Sequence, residues 1–287
     1  MHKVLITGSS GFVGNHLKAR LEKDGLYEII PMDYSMGHDT ANPMIWKEMP
    51  DSDVVVHLAA KSFIPDSWND IAGYINCNVH GTIEALNYCK DRGAKFIFFS
   101  SYMYGNPEIL PIKETAPVKV NNPYALSKKM AEDVCKFYYD SFQIPVIIFR
   151  PFNIYGAGQG ENFLIPFLMK QIKEGTEVRV KDLEPKRDYV YIEDLINAVM
   201  KAIVYKEDKF NILNIGNGIS YSVGTVISLL SKEIGKELPV LSENERRLGE
   251  IMDTVADITK AKEVLGWEPS YGFEEGLKHM LGKLSYV

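Results

Sequence analysis

The first half of the chain is punctuated by short, unbroken apolar runs: Val4-Leu5-Ile6, Val54-Val55-Val56, Phe96-Ile97-Phe98-Phe99 and Val146-Ile147-Ile148-Phe149. With their flanks, Val4–Thr7, Tyr27–Met32, Asp53–Leu58, Lys95–Ser100 and Pro145–Arg150 read as buried strands, because β-branched and aromatic residues dominate them. Between them, Phe12–Lys23, Ser67–Asp91 and Pro123–Phe142 carry helical patterns. Strands alternating with helices predict an α/β fold, a doubly wound parallel sheet whose ligands bind beyond the carboxyl ends of its strands. The second half is more mixed. Helices are expected over Asn162–Glu174, Ile192–Tyr205, Ser222–Gly235 and Phe273–Leu281, and strands over Val178–Val180 and Phe210–Asn214. The expected division is a sheet domain over residues 1–150 and a smaller mixed α/β lobe over 151–287, some of whose segments return to complete the sheet.

Composition narrows the partners. The net charge of −6 comes with no basic stripe, so nucleic acid is not expected. No charge-free apolar run approaches the roughly 20 residues of a membrane span. The start runs directly into the first strand and leaves no room for a signal peptide, so a cytoplasmic location is expected. Cys77, Cys89 and Cys135 lack metal-ligand spacing and the six histidines show no pairing, so reduced thiols and no metal site are expected.

Two constellations carry chemistry. Gly8-Ser9-Ser10-Gly11-Phe12-Val13-Gly14 follows the first strand and opens the first helix. Gly8 permits a tight turn, Gly11 lets backbone approach a pyrophosphate, and Gly14 lets helix and strand pack closely. The helix N-terminus then offers unpaired N–H groups to phosphate. Asp33, where the second strand ends, suits the adenosine ribose hydroxyls and repels a 2′-phosphate. The dinucleotide is therefore expected to be NAD(H) in preference to NADP(H).

The second constellation is Tyr124-Ala125-Leu126-Ser127-Lys128, at the start of a helical segment. A spacing of four places Tyr124 and Lys128 on one helix face. A neighbouring ammonium and the positive nicotinamide ring both favour phenolate; bringing a phenol from its usual pKa of about 10 to about 7 requires roughly 4 kcal/mol, much of which one close cation in a partly desolvated site can supply. Tyr124 would then exchange a proton with a substrate hydroxyl while hydride moves to or from carbon. Ser100-Ser101, at the end of a buried strand, supplies hydroxyls to hold the reacting oxygen.

At this point the sequence resembles the extended short-chain dehydrogenases, the NAD-dependent epimerase/dehydratase family, over essentially its whole length. The resemblance rests on the glycine loop, His57-Leu58-Ala59-Ala60, Asn78-Val79-His80-Gly81-Thr82, Ser100-Ser101, Tyr124 with Lys128, Arg150-Pro151-Phe152-Asn153-Ile154-Tyr155-Gly156 and Arg187-Asp188-Tyr189-Val190. Near the end, Arg247-Leu248-Gly249-Glu250, Asp257-Ile258-Thr259-Lys260-Ala261 and Leu265-Gly266-Trp267 extend it. It implies a Rossmann fold and a nucleotide-linked sugar as substrate. Tyr124 becomes the acid/base, Lys128 its electrostatic and ribose-holding partner, and Ser101 the hydroxyl partner with Ser100 as the alternative. Leu58, Ala59, Ala60, Asn78, Phe152 and Asn153 would line the cofactor, together with Gly8, Ser10, Gly11, Phe12, Val13, Gly14 and Asp33. Lys61, Ser62, Ser101 and Asn153 would face the sugar. Asn162, Arg187 and Arg247 would contact the diphosphate, with Glu250 supporting the nucleoside. Relatives commonly pair through two helices per subunit, which nominates Ser67–Asp91 and Pro123–Phe142 for a homodimer contact.

Three departures sharpen the reading. Relatives that dehydrate sugars carry an Asp-Glu pair after the strand-end hydroxyl, whereas here Ser101 is followed by Tyr102-Met103, which disfavours elimination. The stretch between Asp33 and Asp53 is short, and the family's adenine-contacting acid has no evident counterpart there; Trp46 is read as a core residue rather than its replacement. The chain is also short, with the loss falling on substrate-side loops. Two enzyme readings follow: a 4-keto reductase of a nucleotide 4-keto-6-deoxy sugar, taken first, and an NAD-dependent nucleotide-sugar 4-epimerase of the UDP-glucose kind. A non-catalytic dinucleotide-sensing regulator is the reading from another class, disfavoured by the retained Tyr124, Lys128 and strand-end serine.

Overall fold

The computed structural model describes residues 1–246 and 250–284. In chain order the elements begin with strand β1 (His2–Thr7), helix α1 (Phe12–Asp24), β2 (Tyr27–Met32), α2 (Pro43–Glu48), β3 (Val54–His57), α3 (Ile64–Ser67) and α4 (Ile71–Ile75). They continue with α5 (Gly81–Arg92), β4 (Lys95–Phe99), α6 (Pro123–Phe142), β5 (Val146–Pro151), β6 (Asn153–Tyr155), α7 (Leu164–Glu174) and β7 (Val178–Val180). Next come β8 (Lys186–Tyr191), α8 (Ile192–Val204), β9 (Phe210–Ile215), β10 (Ser220–Ser222), α9 (Val223–Ile234), β11 (Val240–Ser242), α10 (Thr259–Leu265) and α11 (Phe273–Leu284).

The expected doubly wound sheet is present. Six parallel strands run in the order β2-β1-β3-β4-β5-β9. Side chains alternate across it, so the apolar runs feed two cores. Val4, Ile6, Val54, Val56, Ile97, Phe99, Ile147 and Phe149 join one core with Leu17 and Leu21 of α1 and the apolar face of α8. Leu5, Val55, Phe96, Phe98, Val146 and Ile148 join the other with α5, α6 and Trp46. Trp46 is a core residue, as read from the sequence, and donates its indole N–H to Thr40 O at 2.8 Å. The strand β2 differs from expectation: it is an edge, and only Ile30 and Met32 in it are buried. The direction of chain travel across the sheet reverses between β1 and β3, which places the glycine loop and the Leu58–Ala60 segment side by side at a topological switch point.

The long helix expected over Ser67–Asp91 is broken into pieces. Asp70 caps α4 by accepting from Gly73 N, and the backbone passes through a π-helical turn, Asn76–His80, before α5 begins. That turn carries Asn78 and Val79 into the interior. Past residue 151, β9 returns to the large sheet, while β10-β8-β6 and the β11-β7 pair form two small sheets over the carboxyl ends of the large sheet's strands. Asp188 of β8 ties this region together, because its carboxylate accepts from the backbone N–H groups of Asn217 (2.6 Å), Gly218 (2.9 Å) and Ala256 (3.0 Å). Among the described residues no helix is long and apolar enough to cross a membrane.

A buried polar cluster fixes α6 against the sheet. Arg150 of β5 grips Glu132 of α6 with two bonds, Nε to Oε1 at 2.9 Å and Nη2 to Oε2 at 2.6 Å, and both side chains are 4% exposed. Its Nη1 donates to the Tyr104 hydroxyl (2.9 Å), which donates onward to Asn214 Oδ1 of β9 (2.6 Å). Removing one partner of such a pair strands a buried charge. Glu132→Ala is therefore expected to cost about 3–5 kcal/mol in urea unfolding, and Glu132→Gln less. By contrast, Asp140→Ala, which removes the exposed Lys136 pair on the same helix, should cost under about 0.5 kcal/mol.

Candidate active site

A cleft of about 1640 Å³ runs along the carboxyl ends of the sheet strands, with the small sheets as its far wall. That exceeds the roughly 300–1,000 Å³ of a pocket for one drug-sized ligand and is sized for two extended molecules. Of the nominated residues that are described, all lie on its walls except Ser10 and Asn78. Arg247 falls outside the described residues.

At one end the glycine loop forms a cradle of bare backbone. Gly8 sits at φ +65, and a Cβ there would lie 2.7 Å from Ala59 N. A Cβ on Gly14 would lie 2.4 Å from Gly8 O. Side chains at either position would push apart the loop, the helix and the Leu58–Ala60 segment. Thr7 locks the two loops together, since its Oγ1 accepts the N–H groups of Leu58 and Ala59, both at 3.1 Å. Its hydroxyl also shares a hydrogen bond with His57 Nδ1 at 2.9 Å, and burial, with the nearby Lys128 cation, pushes His57 down to about 3 and keeps that ring neutral. Gly11 caps α1, with Phe12 and Val13 behind it.

Asp33 stands at the rim as an anion. Partial burial opposes its charge, but hydrogen bonds from Ser35 and Ser10 outweigh that and hold its carboxyl below the ordinary value. Oδ1 accepts from Ser35 N (2.9 Å) and Ser35 Oγ (2.7 Å), and Oδ2 from Ser10 N at 2.9 Å. Ser10 thus serves the cleft through Asp33 instead of lining it. The short stretch after Asp33 forms a turn and a short helix between residues 34 and 48, which bring Tyr34, His38, Asp39 and Thr40 to the cleft wall. No motif marked those residues in the sequence.

Asn78 is placed differently from the expectation that it lines the cofactor. It is 1% exposed and holds the neighbouring loop, with Oδ1 accepting from Lys61 N at 2.9 Å and Nδ2 donating to Lys61 O at 3.0 Å and Ser127 Oγ at 2.8 Å. Its reach into the cleft is through Lys61 and the start of α6.

In the middle of the cleft, α6 begins with Asn122 as cap, its side chain accepting from Ala125 N at 2.8 Å, and Pro123 in the first turn. Tyr124 and Lys128 follow one turn apart, facing Ser100 and Ser101 at the end of β4. Burial is the largest electrostatic influence on both groups. Burial pushes the Tyr124 phenol up to about 12, only partly offset by the hydrogen bond from Ser101. Lys128 Nζ donates to Phe99 O at 2.8 Å and lies over the Phe98 ring. Burial in turn pulls Lys128 down to about 8. The resting pair is a neutral phenol beside a weakly held cation. Ser100 is buried and its Oγ has no hydrogen-bond partner, so it is a donor and acceptor waiting in the cleft wall.

Toward the other end, Tyr102 stacks on Phe152 (4.9 Å, 13°) and donates to Asn153 Oδ1 at 3.2 Å, while Asn153 Nδ2 donates to Asp188 O at 3.1 Å. Met103 is buried, so neither position after Ser101 offers an acid. Lys61 and Ser62 flank this floor, and Lys61 Nζ pairs with exposed Asp70 at 2.5 Å. Asn162 lies on the opposite wall. Arg187 does not present a free fork: it pairs with Glu250 at 2.5 Å and donates to the carbonyls of Lys186 and Ile251. Tyr189, two residues on and so on the same face of β8, also lines the cleft. Period-two alternation from Arg187 was the signal that could have found it.

The family model described as NAD dependent epimerase/dehydratase family matches residues 4–216. A UDP-glucose 4-epimerase of Streptococcus mutans is 30% identical over 308 residues, covering 93% of this chain and 92% of the epimerase. A GDP-6-deoxy-D-mannose reductase of Pseudomonas aeruginosa is 29% identical over 296 residues, covering 97% of this chain and 96% of the reductase. A solved structure described as RMD from Pseudomonas aeruginosa complexed with NADPH superposes with a TM-score of 0.89 at 28% identity, covering 100% of both chains. The chain belongs to the NAD-dependent epimerase/dehydratase family of enzymes.

Proposed function

We propose that this enzyme is a 4-keto reductase of a nucleotide-linked 4-keto-6-deoxy sugar, with Tyr124 as proton donor. The observation that carries the reading is Tyr124, Lys128, Ser100 and Ser101 gathered on one cleft wall, in a site where Tyr102 and Met103 stand in place of the acid pair that elimination requires. The similarity to the reductase, over 97% of this chain and 96% of that one, is in keeping with the reading, and epimerase relatives of equal coverage are in keeping with the second reading below.

The residues present fit a dinucleotide. The cradle of Gly8, Gly11 and Gly14 admits phosphate only without side chains, Asp33 is an anion on the same cleft wall and bonded to Ser10 of the loop, and Ser100 Oγ is an orphaned donor. Phe12, Val13, Leu58, Ala59, Ala60, Phe152 and Asn153 form the walls around it. NADH is preferred, because a fixed Asp33 carboxylate repels a 2′-phosphate, and NADPH is the alternative that the Pseudomonas structure brings to mind. Bound there, the nicotinamide supplies hydride. Ser101 holds the C4 carbonyl oxygen, Tyr124 gives it a proton, and Lys128 steadies the ribose and the phenolate left behind. Lys61, Ser62, Asn153, Asn162, Arg187, Arg247 and Glu250 hold the sugar diphosphate, Arg187 by exchanging part of its contact with Glu250 for phosphate.

One observation favours a second reading, a nucleotide-sugar 4-epimerase: the Streptococcus relative is such an enzyme. There Tyr124 would first take and then return the C4 proton. The enzyme is further proposed to act as a cytoplasmic homodimer paired through α5 and α6. The outward apolar stripe Leu126, Met130 and Phe137 on α6 supports the pairing, and free Cys89 and Cys135 suit a reducing compartment.

Purified protein should oxidise NADH stoichiometrically with a 4-keto-6-deoxy nucleotide sugar, followed by absorbance; turnover of a 4-hydroxy sugar without added reductant would favour the epimerase instead. Tyr124→Phe should lower kcat at least about 10²–10⁴-fold and leave NADH affinity within about twofold. Lys128 loses its charge above about 8, so kcat/KM should fall as pH rises through about 8. Its stability effect has the opposite sign. The unfolded chain holds this proton up to the ordinary lysine value of 10.5 and the folded chain only to about 8, so stability should rise with pH between them.

A further inference from the structure

Tyr189 is the residue in the cleft whose chemistry remains unspent. It is 4% exposed, and its ring is held between Phe273, stacked at 5.1 Å, and the edge of Tyr155 at 6.4 Å. That packing needs only a phenyl ring. The hydroxyl is buried without any hydrogen-bond partner, an arrangement native proteins avoid because the group gives up water and gains nothing. Yet Tyr189 lines the cleft, beside Asn153 in the β6–β8 register and two residues from Arg187. Its polar neighbours are already committed. Tyr102 donates to Asn153, and Arg187 donates to Glu250 and to the carbonyls of Lys186 and Ile251.

We propose that the Tyr189 hydroxyl is a substrate-binding group that donates a hydrogen bond to an acceptor oxygen of the nucleotide sugar. This assignment rests on the nucleotide-sugar reading above. The acceptor is a diphosphate oxygen or a sugar oxygen, and both offer the same lone-pair chemistry. Tyr191 supplies the internal control, because its hydroxyl is also buried and unpartnered but does not line the cleft.

The experiment is calorimetric titration of the NADH-loaded protein with UDP, GDP, UDP-glucose and GDP-mannose, for wild type, Tyr189→Phe and Tyr191→Phe, with Tm measured in parallel. Tyr189→Phe should weaken the nucleotide sugar that wild type binds by about tenfold. Its ligand-free Tm should be unchanged or raised by about 2–4 °C, since an orphaned hydroxyl has been removed. Tyr191→Phe should leave affinity unchanged. If the loss already appears with UDP or GDP, the acceptor is phosphate; if only with the sugar-bearing ligand, it is on the sugar. Unchanged affinity in Tyr189→Phe, or a fall in Tm with no loss of affinity, overturns the assignment and makes the hydroxyl a structural group. If wild type binds none of the four probes, the nucleotide-sugar reading fails and this assignment with it.

Discussion

The grip of Arg150 on Glu132 is the constraint on which the site depends. It joins β5 to the middle of α6, two turns beyond Tyr124 and one beyond Lys128. Helix geometry is rigid over that distance, so fixing Glu132 fixes where the phenol and the amine emerge. The second anchor, Lys128 Nζ on Phe99 O, ties the same helix to the end of β4, where Ser100 and Ser101 begin. Neither bond touches a ligand. Together they set a phenol, an amine and two hydroxyls at the sheet edge, opposite the glycine cradle.

Burial governs the chemistry those groups start from. It raises Tyr124 to about 12 and lowers Lys128 to about 8, so each moves toward its neutral form. Burial outweighs opposite-charge attraction, the effect that a Tyr-x-x-x-Lys spacing suggests, in this geometry. A site of this kind begins as an acid, which suits delivery of a proton to a carbonyl oxygen. Asp33 obeys different rules: it lies at the rim, and its hydrogen bonds from Ser10 and Ser35 keep it charged where a ribose would meet it.

The parallel sheet was legible because buried strands are nearly pure apolar runs, and α6 was legible because Asn122-Pro123 announces its start. The glycine loop and Tyr124 were legible for the same reason, as local sequence with local consequences. What escaped reading depended on distant partners. Three-residue strands such as β6 and β10 carry too little periodicity to stand out, and the π-helical turn at Asn76–His80 inside an expected helix is set by tertiary packing. The position of Asn78 behind the cleft wall, the pairing of Arg187 with Glu250 and the isolation of the Tyr189 hydroxyl are properties of contacts made 17 or more residues away in sequence or of contacts not made at all.

The account rests on hydride reaching C4 of a sugar while Tyr124 supplies the proton. The most direct measurement is transfer of label from 4-deuterated NADH to a 4-keto-6-deoxy nucleotide sugar, read by NMR of the product. Deuterium at C4 in the wild-type product, with no labelled product from Tyr124→Phe, is the predicted result. Label retained on the dinucleotide while the sugar is consumed, or equal labelling by the phenylalanine variant, would contradict it.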